Sequence, residues 1–163
     1  MNKLVYALIF LVLFLNAEDV KIDFKETRYI DALNERVIKN GQISFSDESA
    51  KIFYDSDNRE ITLSNDQITI KNGKDIMQKN AKEEPNIVNM FAIFRAIFED
   101  NEERLKIFFK IVQKSENEVL LSAINSSNPI STLTYKLKEG DITQLELISR
   151  NGDRITIDVV KKR

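Results

Sequence analysis

Thr132-Leu-Thr-Tyr-Lys-Leu-Lys138, a break at Glu139-Gly-Asp141, Thr143-Gln-Leu-Glu-Leu-Ile148, a second break at Asn151-Gly152, then Arg154-Ile-Thr-Ile-Asp-Val159: this stretch decides the fold. Side chains in a strand alternate faces with period two. Leu133, Tyr135, Leu137, Leu145, Leu147, Ile155, Ile157 and Val159 therefore share one face of a three-stranded antiparallel meander, and Thr, Lys, Gln, Glu, Arg and Asp share the other. Asn151-Gly152 supplies the positive φ that a tight hairpin needs, which makes it the strongest turn signal in the chain.

Working back toward the N-terminus, more short strands appear at near-regular spacing. Val20, Ile22 and Phe24 alternate in a first strand, and Leu33 to Ser46 carries a second that ends in Gly41-Gln-Ile-Ser-Phe45. Lys51-Ile-Phe-Tyr54, Glu60-Ile-Thr-Leu63 and Gln67-Ile-Thr-Ile-Lys71 follow, separated by turns at Asp55-Ser-Asp-Asn58 and Asn65-Asp66 and closed by Asn72-Gly73. One segment breaks this rhythm. Pro85 suits a helix start, and Ile87, Met90, Phe91, Phe94, Ile97 and Phe98 then fall within about 120° of arc at 100° per residue. After the acidic run Glu99 to Glu103, alternation of Leu105, Ile107, Phe109 and Ile111 predicts a strand, with Glu118 to Ile124 as its partner. The expected fold is α+β but mostly β: an incomplete antiparallel β-barrel, a curled half-barrel sheet, with a helical lid on its concave face.

Residues 1–17 read as a signal peptide. Lys3 precedes the apolar run Leu4 to Leu15, and Leu15-Asn-Ala17 offers a small residue for cleavage. The run is shorter than the roughly 20 residues that span a bilayer. Residues 18–163 then form one exported domain, expected in the periplasm as a monomer. The chain has no cysteine, so the leader does not end in a lipidated cysteine and no disulfide or thiolate metal site forms. With 24 basic and 26 acidic residues, it lacks the basic stripe that phosphate contacts demand, and nucleic acid is excluded as a partner.

Histidine is also absent, which removes the usual imidazole base and argues against triad hydrolases and against an enzyme generally. Asp55-Ser-Asp57 begins like a calcium loop, but Arg59 occupies the fifth position and no glycine or twelfth-position glutamate follows, so a hairpin turn fits better. Neither a metal nor a cofactor is expected. The helix carries two readings: an ordinary core plug, or one wall of a cavity for an acyl chain, with Met and aromatic side chains as adaptable lining.

Phe24-Lys-Glu-Thr27, Gly41-Gln-Ile-Ser-Phe45, Lys51-Ile-Phe-Tyr54, the hairpin Glu60 to Asp66 with Ile68 and Ile70, Glu139-Gly-Asp-Ile-Thr-Gln-Leu145 and Asn151-Gly-Asp-Arg154 together resemble, in order and wording, the LolA family of periplasmic lipoprotein carriers. That resemblance implies a hydrophobic cavity that takes acylated lipoproteins from an inner-membrane releasing transporter and passes them to an outer-membrane receptor. The inward candidates for lipid binding are Ile43, Phe45, Phe53, Ile61, Leu63, Phe91, Phe94, Leu133, Tyr135, Leu145, Leu147, Ile155 and Ile157. The family often carries an Arg-Pro pair after its Gly-x-hydrophobic strand, where the arginine helps hold the lid; Asp47-Glu48 stands there in this chain. An envelope sensor or adaptor that binds a protein partner through the same half-barrel is the alternative.

Overall fold

The computed structural model describes residues 20–163, so the expected signal peptide lies outside the described residues. Eleven strands form one antiparallel sheet: β1 (Val20–Ile30), β2 (Glu35–Phe45), β3 (Ser49–Tyr54), β4 (Arg59–Ser64), β5 (Gln67–Asn72), β6 (Asp75–Asn80), β7 (Phe109–Lys114), β8 (Glu118–Ala123), β9 (Ile130–Lys138), β10 (Asp141–Ser149) and β11 (Arg154–Lys162). Their spatial order is β6-β5-β4-β3-β2-β1-β11-β10-β9-β8-β7. The chain thus marches from β1 to one edge, crosses over, and returns from the other edge until β11 pairs with β1 in the middle. The crossing consists of helix α1 (Pro85–Phe98) and the short helix α2 (Glu102–Leu105). The sheet does not close, and it curls around α1 as a half-barrel with a helical lid.

Register fixes which residues face inward. Ile22, Ile43, Ile52, Ile61 and Ile70 lie side by side across β1 to β5, and Ile157, Leu145, Tyr135 and Val119 do the same across β11 to β8. All but Ile70 are buried, with Ile22 and Leu145 fully so. Burying each such side chain contributes roughly 1.5–3 kcal/mol. Gly41 sits opposite Phe24 and Tyr54 in this inner face. A Cβ there would stand 2.2 Å from the Phe53 carbonyl oxygen and 2.9 Å from Phe24 Cζ, so the glycine makes room for the Phe24 ring, which meets Tyr54 edge-on at 5.8 Å.

The helix begins and ends as its sequence suggests. Pro85 takes the first turn, and Phe91, Ile93, Phe94, Ala96, Ile97 and Phe98 are buried. Ile93 and Ala96 extend the buried arc to about 220°, beyond the 120° read from the apolar stripe, because the curled sheet wraps more than one side of the helix.

Several expectations are corrected. Leu105 to Ile111 do not form one alternating strand: the Asn101 side chain accepts from the Arg104 amide at 3.1 Å and caps a helical turn, with Glu102 and Glu103 in its first turn. Ile107 is left 67% exposed, and the strand begins only at Phe109. The sequence before the helix holds one strand more than expected, since β6 follows the Asn72-Gly73 turn. The Asn151-Gly152 connection is also wider than a two-residue hairpin: Arg150 to Asp153 intervene, and Ser149 donates its amide to the Asp153 carbonyl. Glu139-Gly140, both at positive φ, makes the tight turn instead.

Candidate functional site

Helix α1 leaves space on both sides. Between it and the central strands lies a cavity of 240 Å³, walled by Met90, Ile93 and Phe94 from the helix and by Ile130, Leu147, Ile155 and Ile157 from the meander. On its other side a more open groove of 430 Å³ is lined by Ala50, Leu63, Ala81, Val88, Phe91, Ala92 and Arg95, with Asp47 and Glu48 at its mouth. The cavity is small beside ordinary ligand pockets of about 300–1,000 Å³.

The thirteen inward candidates separate into four groups. Phe94, Leu147, Ile155 and Ile157 line the cavity, and Leu63 and Phe91 line the groove. Ile43, Phe45, Ile61, Leu133, Tyr135 and Leu145 are buried core that supports both spaces without lining either. Phe53 is a correction: it pairs with Gln42 and Glu60 and projects from the convex face, whereas Ile52, between Ile43 and Ile61, takes the inward place.

Sequence reasoning missed the polar end of the cavity. Glu26 follows Ile22 and Phe24 on the inner face of β1 and is only 6% exposed. The Tyr54 hydroxyl donates to its Oε2 at 2.9 Å, and Arg28 Nη2 lies 3.2 Å from its Oε1. These partners make the buried carboxylate tolerable. Burial, and after it the neighbouring Glu26 charge, pushes the Tyr54 phenol well above the usual range, so it remains a neutral donor. Asn86, Asn89 and Asn128 complete this polar margin. The available signal was a charged residue continuing an inward alternation.

Arg95 fastens the helix to the sheet. Its Nη2 donates to the carbonyls of Ser46 at 2.6 Å and Ser49 at 2.9 Å, both in the β2–β3 hairpin, and its guanidinium lies 5.4 Å from the centre of the Phe45 ring. Asp47 and Glu48 form that hairpin, where the resemblance would place an arginine. The tie therefore runs from lid to sheet, with the cation on the helix and the acceptors on the hairpin. Lys162 adds a second tie, donating from Nζ to the Phe98 carbonyl at 3.3 Å.

No protein-family model and no curated protein matches this sequence. Solved structures similar in fold include a LolA superfamily protein from Nitrosomonas europaea, 7% identical with a TM-score of 0.41 over 89% of this chain and 85% of that one. A DUF1329 family protein from Desulfovibrio piger is 8% identical, with a TM-score of 0.42 over 99% of this chain and 92% of that one. Lipoprotein LppX from Mycobacterium tuberculosis is 12% identical, with a TM-score of 0.48 over 99% of this chain and 96% of that one. Likeness at this level concerns fold alone.

Proposed function

We propose that this protein is a periplasmic carrier that holds lipoprotein acyl chains between α1 and the curled sheet, and shuttles lipoproteins from an inner-membrane releasing transporter to an outer-membrane receptor. The observation that carries this reading is the 240 Å³ cavity between the helix and the meander, apolar on its walls and polar at one margin. Such a space suits an amphiphile better than a plug of ordinary core would. Its role is binding and release, with no bond made or broken. Each methylene transferred from water gains about 0.8 kcal/mol, so affinity requires no cofactor. Mass spectrometry of protein purified from the periplasm without detergent should find bound lipid or acylated peptide. Protein that emerges ligand-free and ignores acylated peptide would refute the carrier reading.

One observation favours the adaptor reading. Edge strand β7 leaves Ile111 37% and Val112 56% exposed, and Ile107 and Ile124 nearby are also exposed. An unpaired apolar edge is a template for strand addition by a partner. A photoreactive side chain at position 112 that cross-links to a membrane regulator, with lipoprotein sorting intact on depletion, would support that role over transport.

A further inference from the structure

Tyr54, Arg59, Asn72 and Asp75 stand side by side across β3, β4, β5 and β6, on the same inner face as Ile61 and Ile70. Arg59 is half-buried and takes part in none of the ion pairs among the described residues. Its Nε is buried and meets no acceptor, the one such side-chain atom among the described residues. A buried donor without an acceptor is costly, and folded proteins hold few of them. The carboxylates around it are committed elsewhere: Glu26 to Arg28 and Tyr54, and Asp57 to Lys39. Asp55 is exposed in the β3–β4 turn, and Asp75 is two strands away, about 9–10 Å at the usual strand spacing. Arg28 and Lys39 are therefore neutralised in this corner of the sheet, and the Arg59 charge is not.

A guanidinium presents parallel donors that match two oxygens of an oxyanion. A carboxylate would be used up by that one contact, whereas a tetrahedral phosphate has oxygens to spare. The corner offers further donors for them: the Asn72 amide, and the Lys39 ammonium, which stands 5.3 Å over the Tyr54 ring and gives only one of its protons to Asp57. We infer that Arg59 anchors a phosphate-binding site on the inner corner of β2 to β5, which takes either free phosphate or the phosphodiester headgroup of a lipid. Tyr54 borders the helix–sheet cavity but Arg59 does not line it, so the site stands beside that cavity and does not depend on the carrier reading.

The test is titration of the detergent-free protein, at pH 7 and low ionic strength, with inorganic phosphate, with dihexanoylphosphatidylglycerol and with uncharged dihexanoylglycerol. At least one phosphate probe is expected to bind, and Arg59→Gln should weaken it about tenfold, the size of one charge-assisted contact. Arg59→Lys, which keeps the charge but not the fork, should lose less, and Asp75→Asn, which removes the carboxylate in the same row, should tighten binding. Both remain informative if the glutamine variant fails to fold. Arg36→Gln, at an exposed arginine of the convex face, should change nothing. Phosphate that binds through Arg59 and competes with the lipid identifies the free ion as ligand; a lipid that binds through Arg59 where phosphate does not identifies the headgroup. Affinity unmoved by the Arg59 and Asp75 substitutions, or lowered equally by Arg36→Gln, means an adventitious ion only and overturns the inference. An equal loss for dihexanoylglycerol, or binding of neither phosphate probe, overturns it as well.

Discussion

Replacing Arg95 by methionine should loosen the lid without unfolding the sheet. The substitution keeps much of the apolar stem that packs over Phe45 but removes both hydrogen bonds to the Ser46 and Ser49 carbonyls. Hydrogen bonds to a charged group are each worth about 1.5–3 kcal/mol net, and the ring contact about 0.5–1 kcal/mol. The three share one guanidinium whose side chain is 23% exposed, and the freed carbonyls can turn to water, so the sum is discounted. A loss of about 2–3 kcal/mol remains. At 1.4 kcal/mol per factor of ten, amides within Pro85–Phe98 should exchange about 30–150-fold faster. Hydrogen exchange read peptide by peptide is the assay, with β1, β10 and β11 as the internal reference. Association of an acyl probe should accelerate in parallel if lid opening limits entry. Unchanged protection of α1 would refute the latch, and an equal loss across the central strands would show that Arg95 supports the whole domain instead.

Gly41→Ala should destabilise by about 1–3 kcal/mol or more, because its Cβ would drive into the Phe53 carbonyl; the urea midpoint measures it. Ile52→Ser should greatly lower stability, while Phe53→Ser, on the convex face, should cost far less and leave acyl-probe affinity unchanged. The opposite ranking in paired melting curves would refute the register. Asp23 is held below the usual carboxylate range by hydrogen bonds from Gln42 and then Arg163. A lowered folded-state value means stability present above the unfolded value of about 3.9 and lost as pH falls through the folded one. Asp23→Asn should therefore flatten the stability loss below about pH 4; an unchanged acid limb in pH-dependent urea melts would contradict this.

The readable parts of the chain were those where one period governed. The meander strands each bury one clear face, so alternation alone places Leu133, Leu145, Leu147 and Ile157 inward. Lys51-Ile-Phe-Tyr54 places two large apolar residues side by side, and period two cannot choose between them; pairing with Ile43 and Ile61 makes the choice. β6 carries no alternating signal, because Ile76 and Met77 are adjacent and both exposed, as an edge strand permits. The turn at Glu102–Leu105 depends on a side-chain cap from Asn101 that competes locally with an alternating pattern, and the cap wins. Glu26 and Arg28 are inward charges, which an apolar-face reading passes over although they form the polar margin of the cavity.

The burial pattern of α1 also indicates how a chain longer than the cavity could enter. All six buried helix residues lie between Phe91 and Phe98, while Pro85 and Asn86 are exposed and Ile87 to Met90 only half-buried. Lifting the whole helix would expose five large apolar side chains, about 8–15 kcal/mol at 1.5–3 kcal/mol each. An acyl chain of about fifteen methylenes returns about 12 kcal/mol when buried. The two quantities nearly balance, so on the carrier reading an acyl chain could replace helix packing with little net change. Peeling the helix from its Pro85 end is easier still, because Asn86, Asn89 and Met90 border the cavity there while Arg95 and the Lys162 contact at Phe98 hold the other half. On the carrier reading, the C-terminal half of α1 would act as the hinge and its first two turns as the moving flap.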